Sequence, residues 1–235
     1  MDWYGVFTEQ AEQFRAAIGT AEPTAPVPSC PGWTFAHLAV HVGRFLGVVT
    51  RYLTTASPVE LPPERPADQA DPLAFLDERL FSASAALAEY PANSPVWTFS
   101  PAAPDLAWVW QRRAAHELNL RRWDAQAALR TLTPTEPAQA LDAIDELLTT
   151  LLAARLRLDS PPETAGTAVV RCTDTPRAWF VRLAPGEVPD VRPATADSPD
   201  AELAGRAENV LYQLWGRMRL TGTGSSEVLA ALRMD

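Results

Sequence analysis

The 235-residue chain contains no lysine; its 20 basic residues are all arginine. That absence excludes Schiff-base catalysis, pyridoxal phosphate attachment and the phosphate-gripping lysine of a P-loop. The glycine-rich "TGTGSS" at 221–226 therefore reads as a loop. Cysteine is nearly as scarce. Cys30 and Cys172, far apart in different contexts, make no disulfide framework, and a reduced cytosol is the simpler inference. No apolar run reaches the roughly 20 residues of a membrane span, and "MDWYGVFTEQ" lacks the basic start of an export signal. Acids outnumber bases 29 to 20, a net charge of −9 that argues against a phosphate-tracking surface. The expectation is a cytoplasmic monomer or weak homodimer acting on a small molecule, with neither nucleic acid nor membrane as partner.

What is present is helical first and mixed later. "DWYGVFTEQAEQFRAAIG" (2–19) spaces Trp3, Val6, Phe7, Phe14 and Ile18 as one helix face. Four prolines bar a helix from "TAEPTAPVPSCPGW" (20–33), after which Thr34 is placed to cap a helix with Leu38, Val42, Phe45, Leu46 and Val49 along its stripe. A loop (57–72) leads to a third helix (73–90), a fourth runs over about 104–129, and a fifth covers about 137–158. Beyond "DSPPETAG" the period shortens. "TAVVRCTD" and "RAWFVRLA" alternate as a hairpin around Thr175-Pro176, "AELAGRA" reads as another strand, and "ENVLYQLWGRM" and "SEVLAALRM" as helices. The fold class predicted is α+β: a helical bundle over 1–160 and a small α/β domain over 161–235.

Three histidines, His37, His41 and His116, fall on two of the bundle helices, with His37 and His41 four apart on one face and Glu117 beside His116. Bundles build metal sites from inward side chains on facing helices. Each histidine alone also reads as an ordinary surface or core residue.

"VPSCPGWTFAHLAVHVG" (27–43) and "WQRRAAHELNLRRWDAQ" (110–126) resemble the two signature segments of the mycothiol-dependent maleylpyruvate isomerase family, a branch of the DinB-like four-helix bundles. "CTDTPRAWFV" (172–181) and "AELAGRAENVLYQLWGRM" (201–218) are similar to that family's C-terminal domain. The resemblance implies an isomerase or thiol transferase with mycothiol as cofactor and a divalent metal, usually zinc. In that mechanism the metal activates the thiol, which adds to an electrophilic double bond, permits rotation and is eliminated. It places metal ligands at His41 and Glu117, and an arginine for substrate or thiol carboxylates at Arg217. Arg65 is the candidate for a further arginine from the long loop. The alanine-, arginine- and proline-rich composition suggests a GC-rich bacterial genome, and the resemblance implies an actinobacterial one.

One position departs from the pattern. The family's third ligand, a histidine four residues after the glutamate, is Arg121 here. A catalytic zinc needs about three neutral or anionic protein ligands, and a guanidinium offers no lone pair. Arg121 instead pairs with Glu117 at i,i+4, worth about 0.3–0.5 kcal/mol on an exposed helix. The substitution reads as charge replacement, with His41 as general base, Glu117 orienting it, and Arg121 and Arg217 binding anionic groups. A shifted metal site using His37 or His116 is the alternative. So are a metal-free binding or regulatory protein and a repurposed enzyme of specialised metabolism. Cys30, before Pro31, and Asp124, one turn past Arg121, read mainly as structural residues.

Overall fold

The computed structural model describes residues 1–62, 71–158 and 163–234. Among the described residues no helix is long and apolar enough to cross a membrane. The chain divides into two compact units, Met1–Thr98 with Pro104–Thr133, and Phe99–Ala103 with Pro134–Asp235.

The first unit is a four-helix bundle of α1 (Trp3–Thr20), α2 (Phe35–Thr55), α3 (Pro72–Glu89) and α4 (Ala107–Leu129). Helix α1 packs mainly on α4, and α2 on α3 and α4. The starts of α1, α2 and α3 follow from local chemistry. Asp2 accepts the Gly5 N–H at 3.0 Å, and Asp71 accepts from Leu73 and Ala74 ahead of Pro72, whose missing N–H costs nothing in a first turn. Thr34 caps α2 through a reciprocal box. Its hydroxyl oxygen accepts the His37 N–H, and His37 Nδ1 accepts the Thr34 N–H at 3.1 Å. Leu38, Val42, Leu46 and Val49 are fully buried, as their spacing requires. Helices α2 and α3 approach closely where α2 carries glycine: a Cβ on Gly43 would lie 2.5 Å from the Phe75 ring. Tyr52 stacks between Trp97 and Trp110, each ring centroid 5.0 Å away, and Trp110 donates to the Trp97 carbonyl.

The segment before α2 is two successive β-turns. Cys30 N–H donates to Val27 C=O and Trp33 N–H to Cys30 C=O, both at 2.9 Å. Pro28 and Pro31 each take the second position, where φ near −65° is wanted. Gly32, at φ 82°, takes the left-handed third position of the second turn.

The second unit joins α5 (Pro137–Glu146) to a mixed sheet. Helix α5 continues through a π-helical stretch, Leu147–Leu151, into α6 (Leu152–Ala154) and a 3₁₀ turn, Arg155–Arg157. The Ser100 hydroxyl donates to Thr150 C=O at 2.7 Å beside this widened stretch. The strands are β1 (Gly166–Cys172), β2 (Ala178–Leu183), β3 (Asp190–Pro193), β4 (Ala201–Gly205) and β5 (Thr223–Gly224), in the order β3-β2-β1-β4-β5. Only the β1–β4 pair is parallel, with Val170 opposite Leu203. Helices α7 (Ala207–Leu214) and α8 (Ser226–Ala231) pack on β1 and β4. Ala168, Val170, Cys172, Trp179, Val181 and Leu203 are buried. Burial and the nearby Asp174 charge push the Cys172 thiol up to about 11.

Two points differ from the sequence reading. Strands β3 and β5 went unforeseen, the latter inside the stretch read as a loop. The fifth helix, read with the bundle in the sequence, groups by compactness with the second unit, which resumes at Pro134. Its lead-in is bound there: Thr135 N–H donates to Glu208 and the Thr135 hydroxyl bonds Tyr212 at 2.7 Å, while Asp145 accepts from the Trp179 indole.

Candidate active site

Helix α4 places Arg113, Glu117 and Arg121 at i, i+4 and i+8, one stripe along its length, with Asp124 one turn further. All four are buried. His41 comes from α2 and meets the middle of that stripe. Its Nε2 lies 2.9 Å from Glu117 Oε1, and the same oxygen accepts from Arg121 Nε at 2.7 Å. Glu117 Oε2 accepts from Arg113 at 3.1 Å. Burial would raise the Glu117 pKa, but the Arg121 charge, the His41 hydrogen bond and the Arg113 charge outweigh it and hold the carboxyl well below its usual range.

An ionised carboxylate only accepts, so Glu117 fixes the proton of neutral His41 on Nε2 and leaves the lone pair on Nδ1. Among the described residues nothing bonds that nitrogen, and the His41 side chain keeps 35% of its surface exposed against 8% for Glu117. The Trp33 ring stands 4.9 Å from the imidazole, tilted by 54°. Arg121 completes the arrangement by reaching away from His41. Its NH1 donates to Asp124 at 3.0 Å and lies 3.8 Å from the Cys30 sulfur, and its guanidinium sits 5.5 Å from the Trp33 ring centre.

The structure thus brings His41, Glu117 and Arg121 together. His37 does not join them, because its ring is used in the α2 cap. His116 is buried one residue along α4, a turn of about 100° away from the Glu117 direction. Arg217 belongs to the second unit, just past α7, where its NH1 donates to Trp215 C=O at 2.8 Å. Arg65 lies outside the described residues. Arg113 was given no role at the site from the sequence, although its spacing from Glu117 was visible there. The partnership of Asp124 with Ser29 and Cys30 had no sequence signal, since over 90 residues separate them.

The N-terminal domain model of mycothiol maleylpyruvate isomerase matches residues 5–126. The chain belongs to that family. No curated protein sequence matches it. Two solved structures are similar: a mycothiol-dependent maleylpyruvate isomerase and a mutant of that enzyme with a histidine changed to alanine. Each is 12% identical, covers 95% of this chain and 93% of its own, and has a TM-score of 0.58. At that identity the likeness shows the fold: a helical N-terminal part followed by a small five-stranded domain.

Does this chain fit the family's divalent metal? Glu117 already serves three donors, and Arg121 fills the third corner with N–H groups and no lone pair. Among the described residues no group of three or more His, Cys, Asp or Glu side chains is suited to a metal ion. The residues do not fit it.

Proposed function

We propose that the chain is a mycothiol-dependent isomerase or thiol transferase of its family, acting on a small electrophilic molecule, with the family's metal site degenerate. The observation that carries this reading is Glu117 Oε1 accepting from both His41 Nε2 and Arg121 Nε, at 2.9 and 2.7 Å. Arg121 supplies the positive charge that keeps Glu117 ionised, and Glu117 orients His41 as a general base with Nδ1 open. Mycothiol would supply a nucleophilic sulfur. His41 then receives the S–H proton on Nδ1 and returns it on elimination, and Glu117 steadies the imidazolium between those transfers. Arg121 is occupied by two carboxylates. The family resemblance implies Arg217 as a binder of substrate or thiol carboxylates.

The native protein is expected to purify without stoichiometric zinc by elemental analysis and to consume a cis-enedioate-type electrophile only when mycothiol is added. His41→Ala should reduce that rate about 10²–10⁴-fold. Stoichiometric zinc, or a His41→Ala rate equal to wild type, contradicts the reading. Arg121→His, which restores the family's ligand, should take up zinc.

A second reading has one observation in its favour: the internal closure of Glu117, Arg121 and Asp124, which suits a metal-free binding or regulatory protein. Turnover absent with mycothiol across an electrophile panel, together with retained binding of the thiol, would favour it.

A further inference from the structure

Asp124 has no exposed surface. A buried carboxylate is tolerated where donors surround it, and three do. Oδ1 accepts the Ser29 hydroxyl at 2.6 Å; Oδ2 accepts Arg121 NH1 at 3.0 Å and lies 3.4 Å from the Cys30 thiol. Two of these donors belong to the double turn that ends at Trp33. The third is the arginine that holds Glu117 and also lies over the Trp33 ring. One carboxylate therefore grips the near end of the turn directly, and its far end through Arg121.

The geometry points to Asp124 as a positioning residue. It fastens Ser29–Trp33 to α4, so that the Trp33 indole is held against His41 and bounds the approach to that imidazole. The double turn is well made for such a task. Its prolines and Gly32 fix the backbone internally, so a hold at Ser29 and Cys30 is carried along a stiff segment to Trp33. The inference rests on the proposed function only for the meaning of that approach. The fastening is measured without any substrate, so the two ideas fail separately.

Cys30 reports on the fastening, and Cys172 in the second unit serves as an internal control. Both are buried and neither is in a disulfide. Full-length wild type, Asp124→Asn, Asp124→Glu and Ser29→Ala would be pulse-labelled with N-ethylmaleimide and read by peptide mass spectrometry. Local release raises exchange-type access in proportion to the opening equilibrium. Cys30 labelling should therefore rise about tenfold or more in Asp124→Asn, a shift of about 1.4 kcal/mol in opening, with Cys172 unchanged. Asp124→Glu should recover most of the protection. The near-ultraviolet circular dichroism contributed by Trp33, identified by Trp33→Phe, should diminish in Asp124→Asn and return in Asp124→Glu. Should Asp124→Asn fail to fold, Ser29→Ala carries the test, with about threefold faster Cys30 labelling expected. Cys30 labelling within twofold of wild type would overturn the inference. So would Cys30 and Cys172 rising together, since that is general loosening.

Discussion

A carboxyl group taken out of water ordinarily holds its proton more tightly; Glu117 does the opposite. Two guanidinium groups and an imidazole surround it, and together they outweigh its burial. Its native pKa is depressed, so its contribution to stability is present above the unfolded value of about 4.3 and is lost as pH falls through the native one. Denaturant midpoints of the native chain should thus fall more steeply below about pH 5 than those of Glu117→Gln, which has no proton to gain. At neutral pH the variant leaves Arg113 and Arg121 short of an anion and should lose about 3–5 kcal/mol. Parallel pH profiles would show that Glu117 is not ionised in the native state. Much of this site was legible beforehand, because His41, Glu117 and Arg121 are placed by helical spacing and a signature motif. Charge compensation was also legible as a possibility, since an acid precedes an arginine by four. What spacing alone could not convey was the second grip of Arg121 on Asp124, and through it on the Ser29–Cys30 turn.

Among the elements, α2 and α3 show how a small residue sets a distance. Gly43 lets the Phe75 ring lie against the backbone of α2, with no room for a methyl group. Gly43→Ala should cost about 1–3 kcal/mol, the usual penalty for overpacking, despite the better helix propensity of alanine. Thermal and denaturant unfolding would measure it, and a neutral or stabilising result would mean that α3 shifts freely. Helix positions were readable to within a few residues because caps and prolines punctuate them. The short strands were not. Strand β3 carries Asp190 and Pro193, and β5 is two residues long, so neither shows the alternation from which strands are recognised. The π-helical turn at Leu147–Leu151 was equally hidden, because its apolar pattern is that of an ordinary helix.

On the scale of the whole molecule, the apolar stripe of α5 shows that something buries it without showing what. Ile144, Leu147 and Leu148 are fully buried, in the unit that also holds Tyr212 and Trp179. A fragment ending at residue 160 would carry that stripe away from α7 and the sheet, whereas one ending at 133 would omit it. The shorter fragment should accordingly be the more soluble, with less dye-detected apolar surface. The reverse result would return α5 to the bundle and put the boundary near 160.

Residues 99–103 lie in the middle of the first unit's sequence but belong to the second, where Ser100 is hydrogen-bonded beside the π-helical turn. The backbone therefore passes between the units three times, after positions 98, 103 and 133. Severing the last of these passages would not set the halves adrift. The amino-terminal piece would still have five residues sewn into its counterpart, and the two would be expected to travel together until something unpicked that stitch.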